Sequence, residues 1–126
     1  LDPPAPRPAN TFLAQGQGTL DDLLESVATG VYVADVLACE EGAGQLVLRA
    51  AAGRMIRGGR LAEPVKGVQL EGTLLGLLGR IDAVAGDFTW DSSAAHCRDG
   101  AHGVVPVSTG APHVRFVDVA VTGGIS

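Results

Sequence analysis

Two apolar runs, QLVLRAAAGRMIR (45–57) and RLAEPV (60–65), are separated by Gly58 and Gly59 alone. A two-residue connection whose members are both free to take positive φ suits a tight hairpin turn, because that backbone twist matches the twist of the strands it joins. The pair therefore commits the middle of the chain to antiparallel strands. VYVADVLA (31–38), VVPVS (104–108) and HVRFVDVAV (113–121) have the same apolar, β-branched character and are expected as further strands. In the last of them Val114, Phe116 and Ala120 fall on one side and Val117, Val119 and Val121 on the other. That pattern predicts a strand covered on both faces, by another domain or subunit in a larger assembly.

Helical spacing occurs twice. Leu20, Leu23, Leu24 and Val27 recur at i, i+3, i+4 and i+7, with Thr19 placed to cap the start, two Asp in the first turn and Gly30 as the expected stop. Leu74, Leu77, Leu78 and Ile81 repeat the spacing behind Thr73, although Gly76 and Gly79 each cost about 1 kcal/mol relative to Ala. Those glycines are expected to allow close packing against another backbone. The resulting fold class is α+β: a mostly antiparallel β sheet or barrel-like core with one or two short helices. Four prolines in the first eight residues set an extended path, so residues 1–12 are read as an outer arm and 13–126 as one domain.

A domain of 126 residues buries roughly two thirds of the surface its unfolded chain exposes, which is enough for one core. With five aromatic residues in the whole chain, that core must be aliphatic. A net charge of −5 with scattered basic residues argues against direct nucleic-acid binding, which needs clustered cations to displace counterions. No window has the roughly 18 uninterrupted apolar residues of a membrane span, and no signal-peptide pattern stands at the start. The expectation is a cytoplasmic protein with Cys39 and Cys97 as free thiols, and, since the chain starts at Leu1 without Met, a piece of a longer polypeptide.

All three histidines and one cysteine fall within residues 96–113, as His96, Cys97, His102 and His113. Thiolate and imidazole are preferred zinc ligands, but the spacing matches none of the closed zinc patterns. A buried cysteine beside two surface histidines is the simpler reading, with a self-contained site using Cys97 and His96 or His102 as the alternative. GQGTL around Gly16 and Gly18 lacks the preceding strand and the Lys of a phosphate loop, and is read as a turn before a capped helix. CEEG (39–42) is read as a solvated turn, and Ser92 and Ser93 lie in no nucleophile elbow.

Three further segments, PPAPRPANTF, GRLAEPVKGVQLEGTLLGLLGRIDAVAGD and VVPVSTGAPHVRFVDVAVTGG, occur in that order. Together they resemble the C-terminal domain of the TldD/PmbA metallopeptidases, also called modulators of DNA gyrase. The resemblance rests on Pro6, Arg7, Asn10 and Thr11, on the Glu63–Gly67 turn, and on Pro106, Val107, Ser108, Pro112, Gly123 and Gly124. It implies a zinc peptidase acting on unstructured peptides, in which a His-Glu-x-x-x-His helix of a preceding domain supplies two ligands and a general base. A cysteine of the C-terminal domain supplies the third ligand, and Cys97 stands in its neighbourhood. It also implies a homo- or heterodimer with a sister subunit. On this reading the domain alone holds zinc weakly and has no peptidase activity. Where the family pattern has Gly after the cysteine and Gly-Gln before the Pro-Val, this chain has Arg98 and, near the Gln position, His102. The PmbA branch lacks the metal residues, so a non-catalytic partner or scaffold domain is the alternative function.

Overall fold

Residues 4, 6–91, 95–99 and 103–125 are described by the structure, a computed structural model. Its centre is a long antiparallel meander: β2 (Thr29–Gly42), β3 (Gln45–Arg57) and β4 (Arg60–Thr73). Gly58 and Gly59 take φ of 54° and 76°, so the expected two-residue turn joins β3 to β4. The β2–β3 turn has the same form at Ala43 (φ 51°) and Gly44 (φ 78°). Because that turn lies at residues 43 and 44, CEEG is the end of β2, paired with residues 45–48, rather than a turn of its own.

Both N-caps read from the sequence are present. Thr19 accepts from the Asp22 amide while Asp22 accepts from the Thr19 amide, and α1 (Leu20–Glu25) buries Leu23 and Leu24. This helix stops at Ser26, and Gly30 lies in β2. The reason is the β3–β4 turn: the amides of Gly58 and Gly59 donate to the carbonyls of Ala28 and Val27, which draws residues 27–30 into the sheet. In α2 (Leu74–Leu78) Thr73 caps the Gly76 amide at 3.0 Å. A Cβ on Gly76 would lie 2.6 Å from that same Thr73 hydroxyl, so Gly76 serves the cap rather than an approach to another backbone. Leu74, Leu75 and Leu78 are exposed.

The stretch 113–121 is not one strand. It divides into β9 (Val114–Phe116), paired with β5 (Ile81–Val84), and β10 (Ala120–Ile125), which joins the edge of β4. Asp118, at φ 51°, makes the break. The meander sheet thus has the order β10-β4-β3-β2 with β10 and β2 at its two outer edges, so of the two expected forms the core takes that of an open sheet. Ala50, Val65, Val68 and Leu70 form the core, with Val31, Val33, Leu48, Met55 and Val119 packed against them. The core is aliphatic, as the composition requires.

A second sheet is built on β8 (Gly103–Ala111). β1 (Asn10–Phe12) runs parallel to it, while β6 (Thr89–Trp90) and β7 (Ala95–Asp99) pair with it antiparallel. The proline-rich arm therefore ends as a strand of this sheet. Phe12, Phe88 and Trp90 stack edge to face beside Gly110, where any Cβ would lie 2.6 Å from the Phe88 ring. Gly16 plays a similar part. Its amide bonds the Ala85 carbonyl at 2.8 Å, and a Cβ there would strike the Val84 carbonyl, so GQG is a packing turn rather than a phosphate loop.

Candidate functional site

Cys97 lies opposite Val105 and His96 opposite Pro106 in the β7–β8 hairpin. Successive strand residues point to opposite faces, so the two side chains diverge. His96 is exposed, and Cys97 is a half-buried free thiol. The pair does not converge on one ion. His102 lies outside the described residues. Among the described residues no group of three or more His, Cys, Asp or Glu is placed to hold a metal.

The main chain at Cys97 is anchored from far along the sequence. Nη2 of Arg7 donates to the Cys97 carbonyl at 2.9 Å and to the Gly103 carbonyl at 3.1 Å, one bond to each leg of the hairpin. Pro6 and Pro8 flank Arg7 and hold the arm extended. Two residues on, the Ala9 carbonyl accepts from the Ser108 amide, and the arm enters β1. The arm, β8 and the Cys97 strand are thus tied into one unit. Nε of Arg7 is buried and has no acceptor among the described residues. Leaving such a donor unpaired is costly, so the two carbonyl bonds carry the guanidinium's hydrogen bonding.

His113 belongs elsewhere. It follows the far end of β8, where its amide donates to one oxygen of Asp87 at 2.9 Å and its Nδ1 lies 2.6 Å from the other. On the other side of the ring Nε2 lies 3.1 Å from the Tyr32 hydroxyl, within hydrogen-bonding distance, and the two rings stack. The His113 amide first, and then its ring, hold the Asp87 carboxyl below the usual carboxylate range. A second tie is the bidentate pair of Arg115 with Asp82, at 2.8 and 2.9 Å, which lowers the Asp82 carboxyl chiefly through these bonds. Arg115 also reaches the Leu23 carbonyl and the Ser26 hydroxyl at the end of α1.

These ties border an apolar cleft of about 520 Å³, lined by Leu20, Leu24, Val33, Leu70, Val119 and Val121 among others, with Tyr32 and His113 in its wall. Cys97 is not part of that wall. This cleft and the candidate metal ligand are therefore separate features. Sequence reasoning noted Arg7 only as part of a motif and missed the Tyr32–His113–Asp87 chain. Its members are 81 and 26 residues apart, and no spacing rule links them.

Residues 1–123 match the model of the PmbA/TldA metallopeptidase C-terminal domain. The chain belongs to this family. A metalloprotease of Synechocystis is 36% identical over 121 residues, covering 96% of this chain and 26% of the relative. A zinc metalloprotease TldD homologue of Saccharolobus solfataricus is 25% identical over 118 residues, covering 93% of this chain and 26% of the relative. The crystal structure of a Thermotoga maritima protein, named as a modulator of a DNA gyrase, superposes with a TM-score of 0.67 at 26% identity. That match covers 90% of this chain and 24% of the other. The PmbA/TldA domain seen here thus spans about a quarter of the length of these relatives. Among its described residues no helix is long and apolar enough to cross a membrane.

Proposed function

We propose that this domain is the C-terminal part of a zinc metallopeptidase that hydrolyses peptide bonds in unstructured peptides, and that Cys97 is one ligand of its metal. The observation that carries this reading is a free, half-buried thiol on a strand whose main chain is pinned by Arg7, in a domain of a metallopeptidase family. A thiolate suits zinc, and a catalytic zinc takes three protein ligands and leaves a position for water. Cys97 is one donor, and His96 points away from it. In this reading, as the family resemblance implies, the other two ligands and the general base come from a His-Glu-x-x-x-His helix in another part of the longer protein. Zinc held there supplies carbonyl polarisation and a water of lowered pKa. This chain's own part is to present an anionic sulfur from a fixed strand and to offer a surface to the rest of the assembly.

That surface is extensive. The chain exposes 8505 Å², against about 6,300 Å² for a compact monomer of its mass. The difference is of the size buried in stable interfaces, and Leu37, Leu74, Leu75, Leu78, Val117 and Val121 are all exposed. We assign this surface to contacts with the remaining domains and with a sister subunit, as a homo- or heterodimer. Two unpaired thiols suit a reducing, cytoplasmic compartment.

A partner domain without a metal is the second reading, favoured by Arg98 after the cysteine and by His102. One experiment separates the two: cleavage of an unstructured peptide by the full-length protein, before and after chelation and after zinc is returned. Activity lost on chelation and restored by zinc supports the peptidase. No cleavage and no bound zinc in the full-length protein supports the partner.

A further inference from the structure

We infer that Arg7 is a positioning residue for the metal-binding thiol, fixing the strand from which Cys97 presents its sulfur; this rests on Cys97 being a ligand. Both hydrogens of Nη2 are engaged, at 2.9 Å with the Cys97 carbonyl and at 3.1 Å with the Gly103 carbonyl. Cys97 and Gly103 stand on opposite legs of the β7–β8 hairpin, the first paired with Val105 and the second with Asp99. One planar guanidinium therefore bridges the Cys97 strand and the start of β8, adding a tie to the arm beyond the strand pairing itself. Arg7 is itself fixed, because Pro6 and Pro8 stiffen the backbone on either side and β1 is locked to β8 through Asn10 and Ser108. Among the described residues, the strand pairing of Ala95 to Asp99 is with β8 alone. A metal ligand held by its own strand but with the strand free to pivot would spread the sulfur over more positions than a three-ligand site tolerates. Groups that orient a ligand without touching the metal matter for this reason, and losing one costs 10- to 100-fold in metal affinity on the order of what other sites show.

A guanidinium can bond both carbonyls from one nitrogen held in a plane, whereas an ammonium at the end of a flexible stem cannot hold that geometry. Arg7→Lys keeps the charge and weakens the clamp, and Arg7→Gln removes the charge and shortens the reach. The test is made on the full-length protein, with zinc affinity measured by competition against a chromophoric chelator. Alongside it, the thiolate-to-metal absorption of the cobalt(II)-loaded protein is recorded, and so is the thermal midpoint of the metal-free protein. We expect zinc affinity to fall by about 10- to 100-fold in Arg7→Gln and by less in Arg7→Lys. The sulfur–cobalt band should shift or weaken in the same order, while the metal-free midpoint separates this effect from general unfolding. Cys97→Ser is the control. If it loses zinc and both Arg7 variants bind zinc within twofold of wild type with an unchanged band, Arg7 has no positioning role. If Cys97→Ser itself binds zinc as wild type does, the ligand assignment fails and the inference falls with it.

Discussion

Gly53 lies in the middle strand of the meander, paired with Val33 on β2 and Val65 on β4. A Cβ at this position would stand 2.6 Å from the Tyr32 carbonyl oxygen, and 3.1 and 3.2 Å from methyls of Val68 and Val65. A carbon–oxygen contact relaxes at about 3.3 Å or beyond, so Gly53→Ala must push β2 and β3 apart locally. The obstructing oxygen is backbone, and the two valines are stiff about χ1. Neither can move aside cheaply. Overpacking of this kind costs about 1–3 kcal/mol, offset by about 0.4–1 kcal/mol from the smaller entropy of the unfolded chain. The net loss of about 1–2 kcal/mol lowers the thermal midpoint by roughly 3–10 °C for a chain of this length. Gly42→Ala is the matched control, since nothing lies within 4 Å of its Cβ position, and it should change stability by no more than about 0.5 kcal/mol. Urea unfolding followed by Trp90 fluorescence measures both. Equal midpoints for Gly53→Ala and wild type, or an equal loss in Gly42→Ala, would refute the close approach at Gly53.

Thr19→Ala removes one half of a reciprocal cap on a six-residue helix and should lower stability by about 0.5–2 kcal/mol, read as a shift in the urea midpoint. Asp82 and Asp87 have carboxyls lowered by Arg115 and His113. Their contribution to stability is therefore complete above the unfolded carboxylate value, near pH 4, and is lost as pH falls through the lower folded values. Asp82→Asn should flatten the acid limb of a plot of unfolding midpoint against pH; an unchanged acid limb would show that the Arg115 pair adds nothing. Both carboxylates are more than a third exposed, so the effect of each is modest.

What was legible in the sequence was local. Gly58-Gly59 fixed a turn because only two residues had to act, and Thr19 and Thr73 were recognisable as caps because each bonds an amide three residues away. The family was legible through the order of short motifs across the whole chain. The end of α1 was not, because the amides that divert residues 27 and 28 come from Gly58 and Gly59 on another hairpin. The split of 113–121 hid behind its unbroken apolar pattern: the break is a positive φ at Asp118, a non-glycine residue that gives little warning. The open sheet had no sequence mark either, since closure depends on whether β10 and β2 meet. Around the candidate site the limit was distance along the chain. Arg7 lies 90 residues from Cys97, and Tyr32 lies 81 from His113.

The central claim is that one thiol of this domain completes a metal site built largely elsewhere in the protein. Zinc per chain in the full-length protein, measured after exhaustive dialysis for wild type and for Cys97→Ser, tests it most directly. A hydroxyl stays protonated at neutral pH and binds zinc poorly, so the substitution removes the anionic ligand with little change of volume. The account predicts close to one zinc per wild-type chain and nearly none in Cys97→Ser, with the thermal midpoints of the two metal-free proteins alike. Full zinc in Cys97→Ser would contradict it and leave Cys97 a structural thiol.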